Sequence, residues 1–231
     1  MPRDVGAIVV AAGQGSRLGS GVPKQYRPLA GIPIVLRALR PFAAHPDVAQ
    51  VVLVVPASDV ADPPSFLAGL LGPGLVLAAG GAERRDSVAA GLAALREECT
   101  VVLVHDGARP FVDRAVIDGV IGYARAGESA TAAVPLSDTV KESSEHDRTR
   151  VARTLPRERL WRAQTPQGFP RALLAAAHAH AATAGLHATD DAALVEACGG
   201  TVRLVPDSIT NLKITTAHDL ELAECLAGRR A

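Results

Sequence analysis

Ala7-Ile8-Val9-Val10-Ala11-Ala12-Gly13-Gln14-Gly15-Ser16-Arg17-Leu18-Gly19 is an apolar run that ends in a glycine-rich turn. Ala7–Ala12 is continuously apolar rather than alternating, the pattern of a strand buried on both faces of a parallel sheet. The pattern returns at Gln50–Val55, Leu75–Ala79, Thr100–His105 and Thr131–Pro135. Between these runs, Ile34–Ala44, Asp59–Leu71, Arg85–Glu97 and Asp113–Ala126 read as helices, with Pro33 suited to a first helical position. Alternating strands and helices predict an α/β fold, a doubly wound, mainly parallel sheet that binds ligands outside the C-terminal ends of its strands. Further along, Pro170–Ala184 and Asp190–Cys198 read as helices, Thr201–Pro206 as a strand and Ala217–Ala227 as a terminal helix.

The rhythm breaks at Leu136–Arg162, which is polar and rich in charge. Thr139-Val140-Lys141 and Arg150-Val151-Ala152 can pair as a hairpin with Ser143–Asp147 as its turn, so a projecting β-arm is expected here.

Bulk properties narrow the function classes. The 231 residues carry 24 basic and 24 acidic side chains, so no global basic field exists of the kind that drives nucleic-acid binding. Aromatic residues are 3% of the chain, too few for base-stacking platforms. Any phosphate ligand must therefore meet a local cluster of cations. No apolar run approaches the roughly 18 residues that span a bilayer, and Met1–Val10 does not read as a signal peptide, so a cytoplasmic protein without membrane or nucleic-acid partners is expected. Cys99, Cys198 and Cys225 lack metal-ligand spacing and are expected to be buried free thiols.

The turn after the first strand is not a P-loop, because no Lys-Ser/Thr pair follows its last glycine. Nor is it a dinucleotide fingerprint: Leu18 holds the third glycine position, and Pro56-Ala57 stands where an acidic residue would end the second strand. What remains is a turn of small residues, Ala11, Ala12, Gly13, Gly15 and Ser16, whose backbone N–H groups can cradle phosphates, with Arg17 and Lys24 as cations.

Ala11–Arg17 followed by Pro23-Lys24-Gln25 resembles the signature of sugar-phosphate nucleotidyltransferases. The chain continues in the same order with Gly80-Gly81-Ala82-Glu83-Arg84-Arg85-Asp86-Ser87-Val88, Val104-His105-Asp106-Gly107-Ala108-Arg109-Pro110 and Ser137-Asp138-Thr139-Val140-Lys141. Gln164-Thr165-Pro166-Gln167-Gly168-Phe169, Thr189-Asp190-Asp191 and Asn211-Leu212-Lys213-Ile214-Thr215 complete the set. Together, over nearly the whole chain, these blocks resemble the family of 2-C-methyl-D-erythritol 4-phosphate cytidylyltransferases.

The resemblance implies a single Rossmann-like nucleotidyltransferase domain over residues 1–231, with 136–162 as an arm for dimerisation and substrate binding. It implies transfer of CMP from CTP to a small polyol phosphate, with Mg²⁺ or another divalent cation as cofactor and a homodimer as the working unit. Arg17 and Lys24 would neutralise the triphosphate. Gly80, Gly81 and Ser87 would meet cytosine and ribose, next to Gly107, and Asp106 would hold the metal. Arg109, Thr165, Thr189, Asp190 and Lys213 would contact the acceptor, and Thr139 and Arg157 would reach it from the twofold-related subunit. His105 is expected to be a packed neighbour, and Arg84 and Arg85 to point to solvent. Relatives often carry an acidic residue just before Asn-x-Lys, where this chain has Thr210, with Asp207 three residues earlier. That departure leaves the second metal carboxylate open. Two alternatives stay open as well, a ribitol 5-phosphate cytidylyltransferase and a non-catalytic nucleotide-binding regulator.

Overall fold

The computed structural model describes residues 2–13 and 22–229. Arg17, Gly15 and Ser16 lie outside the described residues. In chain order the elements are β1 (Val5–Val10), β2 (Pro28–Leu29), β3 (Ile32–Pro33), α1 (Ile34–Ala43), β4 (Val48–Val55), α2 (Ala57–Ala61), α3 (Ser65–Ala68), β5 (Leu75–Ala79) and α4 (Arg84–Ala94). Then follow β6 (Val101–Asp106), α5 (Arg114–Arg125), β7 (Ser129–Pro135), β8 (Val140–Ser143), β9 (Val151–Leu155), β10 (Trp161–Pro170), α6 (Arg171–Ala184), α7 (Asp191–Ala197), β11 (Val202–Pro206) and α8 (Ala217–Arg229).

Seven strands form one sheet in the order β11-β7-β10-β6-β1-β4-β5. Neighbours pair in parallel except around β10, which runs antiparallel to both β6 and β7. The expected mainly parallel, doubly wound sheet is therefore present. Side chains alternate across it. Ala7 and Val9 of β1 face α1 and α5 through Leu39, Phe42, Ile117 and Val120, whereas Ile8 faces α4, α6 and α7 through Val88, Leu174 and Leu194. Both faces are buried, which is why β1, β4 and β6 read as continuous apolar runs. A smaller cluster of Leu29, Ile34, Phe111, Ile214 and Ala223 seats α8 on β2 and the loop after β6.

Several expectations are corrected. Asp59–Leu71 is not one helix but the short α2 and α3, because Pro63 and Pro64 cannot sit inside a continuous helical hydrogen-bond ladder. Pro33 ends β3 and is the N-cap of α1 rather than its first helical residue. Only Cys99 is buried; Cys198 and Cys225 are exposed at the end of α7 and on the outer side of α8.

The largest difference is β10, which sequence reading did not identify as a strand. It carries Gln164, Pro166, Gln167, Gly168 and Pro170 and still occupies the middle of the sheet. A proline normally excludes a central strand because it offers no N–H to the ladder. Here the β7 ladder is interrupted between Ala163 and Gln167, so Pro166 falls where no ladder bond is made. Gln167 Nε2 donates to Thr131 Oγ1 at 3.1 Å, which satisfies one buried polar group with another. Gly168 is required by contact: a Cβ there would lie 2.8 Å from the Val120 carbonyl oxygen of α5.

The expected hairpin forms from β8 and β9, pairing Val140 with Leu155 and Lys141 with Thr154. Its connection is longer than expected and takes in Arg150, whose carbonyl accepts from Ser144 N at 2.9 Å. Lys141 Nζ donates to Thr154 Oγ1 at 2.8 Å, across the arm. No helix among the described residues is long and apolar enough to cross a membrane.

Candidate active site

Four strand ends, those of β6, β1, β4 and β5, are stitched together at the C-terminal edge of the sheet. Ala11 N donates to Val54 O at 2.7 Å, Gly80 N to Val55 O at 2.8 Å and Gly107 N to Val10 O at 2.9 Å. These backbones run so close that the small residues are obligatory. A Cβ on Gly80 would lie 2.2 Å from the Ala12 Cβ and 3.0 Å from Ser87 Oγ. A Cβ on Gly107 would lie 3.0 Å from the Ala11 Cβ. Ser87 is buried, and its Oγ accepts from Gly81 N at 3.2 Å and donates to Glu83 O at 3.2 Å, fixing the turn into α4. We expect Gly80→Ala to lower stability by about 1–3 kcal/mol, the usual cost of overpacking, and to weaken nucleotide binding by pushing β1 from β5. Thermal unfolding and calorimetric titration with CTP check both effects; an unchanged affinity would show that this floor does not carry the nucleotide.

The stitched ends floor a hollow of about 510 Å³ lined by Ala11, Ala12, Gly13, Lys24, Gly81, Ser87, Asp106, Gly107 and Lys213. Gly80 lies beneath it. Lys24 is held there by a 3-10 turn, Lys24–Tyr26, whose Tyr26 hydroxyl donates to Asp59 and whose ring meets Phe66 edge-on at 5.4 Å. A second hollow of about 240 Å³ shares Arg84, Asp106 and Lys213 with the first and adds Arg109, Thr165, Thr189 and Asp190. Most of the residues expected at the nucleotide and at the acceptor thus meet around one carboxylate.

That carboxylate is Asp106, the last residue of β6, where it pairs in register with Val10. Lys213 Nζ lies 2.9 Å and Arg109 Nε 3.4 Å from Oδ2, and Arg84 Nε 3.7 Å from Oδ1. Burial alone would raise its pKa, but Lys213, Arg84 and Arg109 overcome that and hold it well below the usual carboxylate range. An oxygen ligand that stays ionised beside a phosphate-sized hollow suits Mg²⁺, which takes one or two carboxylates and completes its shell with phosphate and water oxygens. Asp207 does not supply a second carboxylate. Its Oδ2 accepts from Asn211 Nδ2 at 2.6 Å and its Oδ1 from Ser208 N at 2.6 Å, and it lines neither hollow. The Thr210 hydroxyl is likewise bonded, to Ser208 Oγ at 2.9 Å.

A buried network stands behind Asp106 on the side of the smaller hollow. The Asp106 N–H donates to Thr165 Oγ1 at 3.0 Å. The Thr165 hydroxyl lies 2.9 Å from His105 Nδ1, and His105 Nε2 lies 3.0 Å from the Arg109 carbonyl oxygen. A carbonyl only accepts, so His105 carries its proton on Nε2 and Thr165 donates to Nδ1. Arg109 Nη1 then donates to Asn211 O at 2.8 Å, which Gln164 Nε2 also reaches at 3.0 Å. Gln164 and Thr165 can point at these partners because the ladder is broken at this stretch of β10. His105, whose ring is tilted against Phe42 with centroids 4.8 Å apart, is a packed neighbour as expected, and also a connector.

Burial pushes His105 down to about 4. Between the unfolded value near 6.5 and about 4, the unfolded chain binds a proton that the folded chain refuses. The stability due to neutral His105 is therefore complete above about pH 6.5 and is lost as pH falls toward 4, on the order of 3 kcal/mol in all. Denaturant midpoints at pH 7 and pH 5 should differ in the wild type and differ less in His105→Gln. An equal pH dependence in both would show that other groups carry it.

Arg84 and Arg85 do not point to solvent as expected: both are half-buried. Adjacent helical residues diverge, so Arg84 turns into the site while Arg85 Nη1 donates to Leu186 O at 2.6 Å, just beyond the end of α6. Asp190 does cap α7, accepting from Ala193 N at 2.9 Å, and its other oxygen accepts from Gln167 Nε2 at 2.8 Å. Thr139 and Arg157 line a separate hollow at the base of the hairpin, with Arg157 Nη1 donating to Ser137 O, and share no residue with the other two. Arg84, Asp191 and Gln167 were not singled out from sequence, although Arg84 opens the helix after β5 and Asp191 follows the flagged Thr189-Asp190 pair.

Comparison with known proteins accords with this geometry. Residues 5–229 match the family model described as IspD: 2-C-methyl-D-erythritol 4-phosphate cytidylyltransferase. The chain is 49% identical over 227 residues to a bifunctional IspD/IspF enzyme of Desulforudis audaxviator, covering 97% of this chain but 57% of that protein. It is 42% identical over 230 residues to the 2-C-methyl-D-erythritol 4-phosphate cytidylyltransferase of Syntrophus aciditrophicus, covering 97% of this chain and 96% of that one. Among solved structures, the Thermus thermophilus cytidylyltransferase superposes with a TM-score of 0.78 at 37% identity, covering 96% of this chain and 98% of that chain. With family match, relatives and fold in agreement, the chain belongs to the 2-C-methyl-D-erythritol 4-phosphate cytidylyltransferase family.

Proposed function

We propose that the protein transfers CMP from CTP to 2-C-methyl-D-erythritol 4-phosphate. An acceptor phosphate oxygen attacks the α-phosphorus, the bond to the bridging oxygen breaks, and its electron pair leaves with pyrophosphate. The nucleophile is already an anion at neutral pH, so no general base is required. Catalysis then consists of bringing two polyanions together and neutralising the charge that builds between them. The observation that carries this reading is the sharing of Asp106, Lys213 and Arg84 by two adjoining hollows.

In this reading Lys24, with Arg17, neutralises the triphosphate, and the small residues Gly80, Gly81 and Ser87 let backbone groups meet the pyrimidine edge. Lys213, Arg109, Thr165 and Thr189 take the acceptor. A divalent cation, when bound, would neutralise phosphate oxygens as a Lewis acid, with Asp106 as its protein ligand. Thr139 and Arg157 act across a twofold axis in a cytoplasmic homodimer; their separate hollow supports delivery to a partner's site rather than to their own. Family membership favours methylerythritol phosphate over ribitol phosphate, and catalysis over mere nucleotide binding.

Phosphorus NMR of purified protein with Mg²⁺, CTP and the acceptor should show a new diphosphate ester and an equal amount of pyrophosphate. Neither should form when the acceptor is omitted; pyrophosphate without it would mean hydrolysis instead of transfer. The arm is tested by mixing subunits. Arg157→Ala and Lys24→Ala homodimers are each expected to be nearly inactive. Their hybrid should regain about a quarter to a half of wild-type turnover per dimer, as one intact composite site predicts. No recovery in a verified hybrid would place Arg157 in its own subunit's site.

A further inference from the structure

Arg84 stands where the two hollows meet. Its Nη1 donates to Asp191 Oδ2 at 2.6 Å, and its Nε lies 3.7 Å from Asp106 Oδ1. Asp191 is fully buried, so its charge needs a fixed partner. Its Oδ1 lies 2.9 Å from Nε2 of the buried His178 of α6. The backbone there is fixed too, since the N–H groups of Asp191 and Ala192 both donate to Gln167 Oε1, at 3.2 and 3.3 Å. On the other side, Lys213 and Arg109 sit on Oδ2 of Asp106, which leaves Oδ1 to Arg84. A planar guanidinium can face two carboxylates at once in a fixed direction, whereas an ammonium is a point charge on a flexible stem.

We propose that Arg84, anchored by the buried Asp191–His178 pair, is the positioning residue that sets the direction of the Asp106 carboxylate and so ties the nucleotide hollow to the acceptor hollow. The proposal rests on the cytidylyl-transfer reading for the job of Asp106, but the anchor is a property of this chain's own residues. Arg84 of α4 meets Asp191 of α7 directly, and α6 joins through His178 on the other oxygen of Asp191. Anything that loosens the anchor should act at Asp106 without touching a ligand.

Asp191→Asn keeps the volume and removes the charge. Partners one step behind a ligand typically cost about 10–100-fold in activity or metal affinity. We therefore expect kcat to fall about 10–100-fold while KM for CTP stays within about threefold. Arg84→Lys should do the same, and the double variant should be no worse than the more severe single one, because both break the same link. Multiplied losses in the double variant would mean that Asp191 acts only through folding, and would overturn the proposal. Should Asp191→Asn fail to fold, Arg84→Lys decides alone: a wild-type kcat overturns the proposal. Mn²⁺ affinity of the CTP complex, read by electron paramagnetic resonance, is the second readout and needs no acceptor. It should weaken about tenfold in both single variants. If the wild type turned over nothing, cytidylyl transfer would fail as a reading, while the Mn²⁺ affinities would still sustain or overturn the anchor.

Discussion

Asp106→Asn is expected to lose at least about 10³-fold in kcat, because the change removes both the proposed ligand of the divalent cation and the centre of the charge arrangement. Lys213, Arg84 and Arg109 converge on this carboxylate. Asparagine would leave them facing one another with only its amide oxygen between them. Removing one partner of a buried ionic group commonly costs about 3–5 kcal/mol. Lys213 is partly exposed and can swing into water, which places the expected loss near the lower end. Thermal unfolding should therefore show a lower midpoint for the apo variant, and single-turnover kinetics the loss of rate. Full activity with lowered stability would make Asp106 a structural counterion and send the metal elsewhere.

Lys24→Ala should behave differently, which makes the pair informative. Lys24 lines the larger hollow from a turn that is held by Tyr26, Phe66 and Asp59. The variant should fold with an unchanged unfolding midpoint and lose about 10²–10³-fold in turnover, the range seen when one preorganised charge contact to a transition state is deleted. Circular dichroism and steady-state rates check the two parts. Unfolding would show that the turn depends on Lys24, and near wild-type turnover would remove it from the triphosphate.

The sequence made the parallel part of the sheet legible because β1, β4 and β6 are apolar on both faces. It also made most of the site legible, since strand C-termini and the helices after them are where an open α/β sheet collects its ligands. β10 was hidden because its buried side chains are polar and meet one another: Gln167 meets Thr131, and Gln164 meets Asn211. A one-dimensional hydrophobic pattern contains no sign of such pairing. Arg84 was hidden for a related reason. A buried cation and an exposed one look alike in sequence, and what separates Arg84 from Arg85 is Asp191, a residue 107 positions away. The short α2 and α3 are the reverse case, because Pro63-Pro64 marks the break in the sequence itself.

The most direct test of the account is the rate of pyrophosphate release by the purified protein with Mg²⁺ and CTP, offered 2-C-methyl-D-erythritol 4-phosphate and D-ribitol 5-phosphate in parallel. Release should depend on methylerythritol phosphate and stay at background with ribitol phosphate. Release with ribitol phosphate alone, or with neither acceptor, would contradict it.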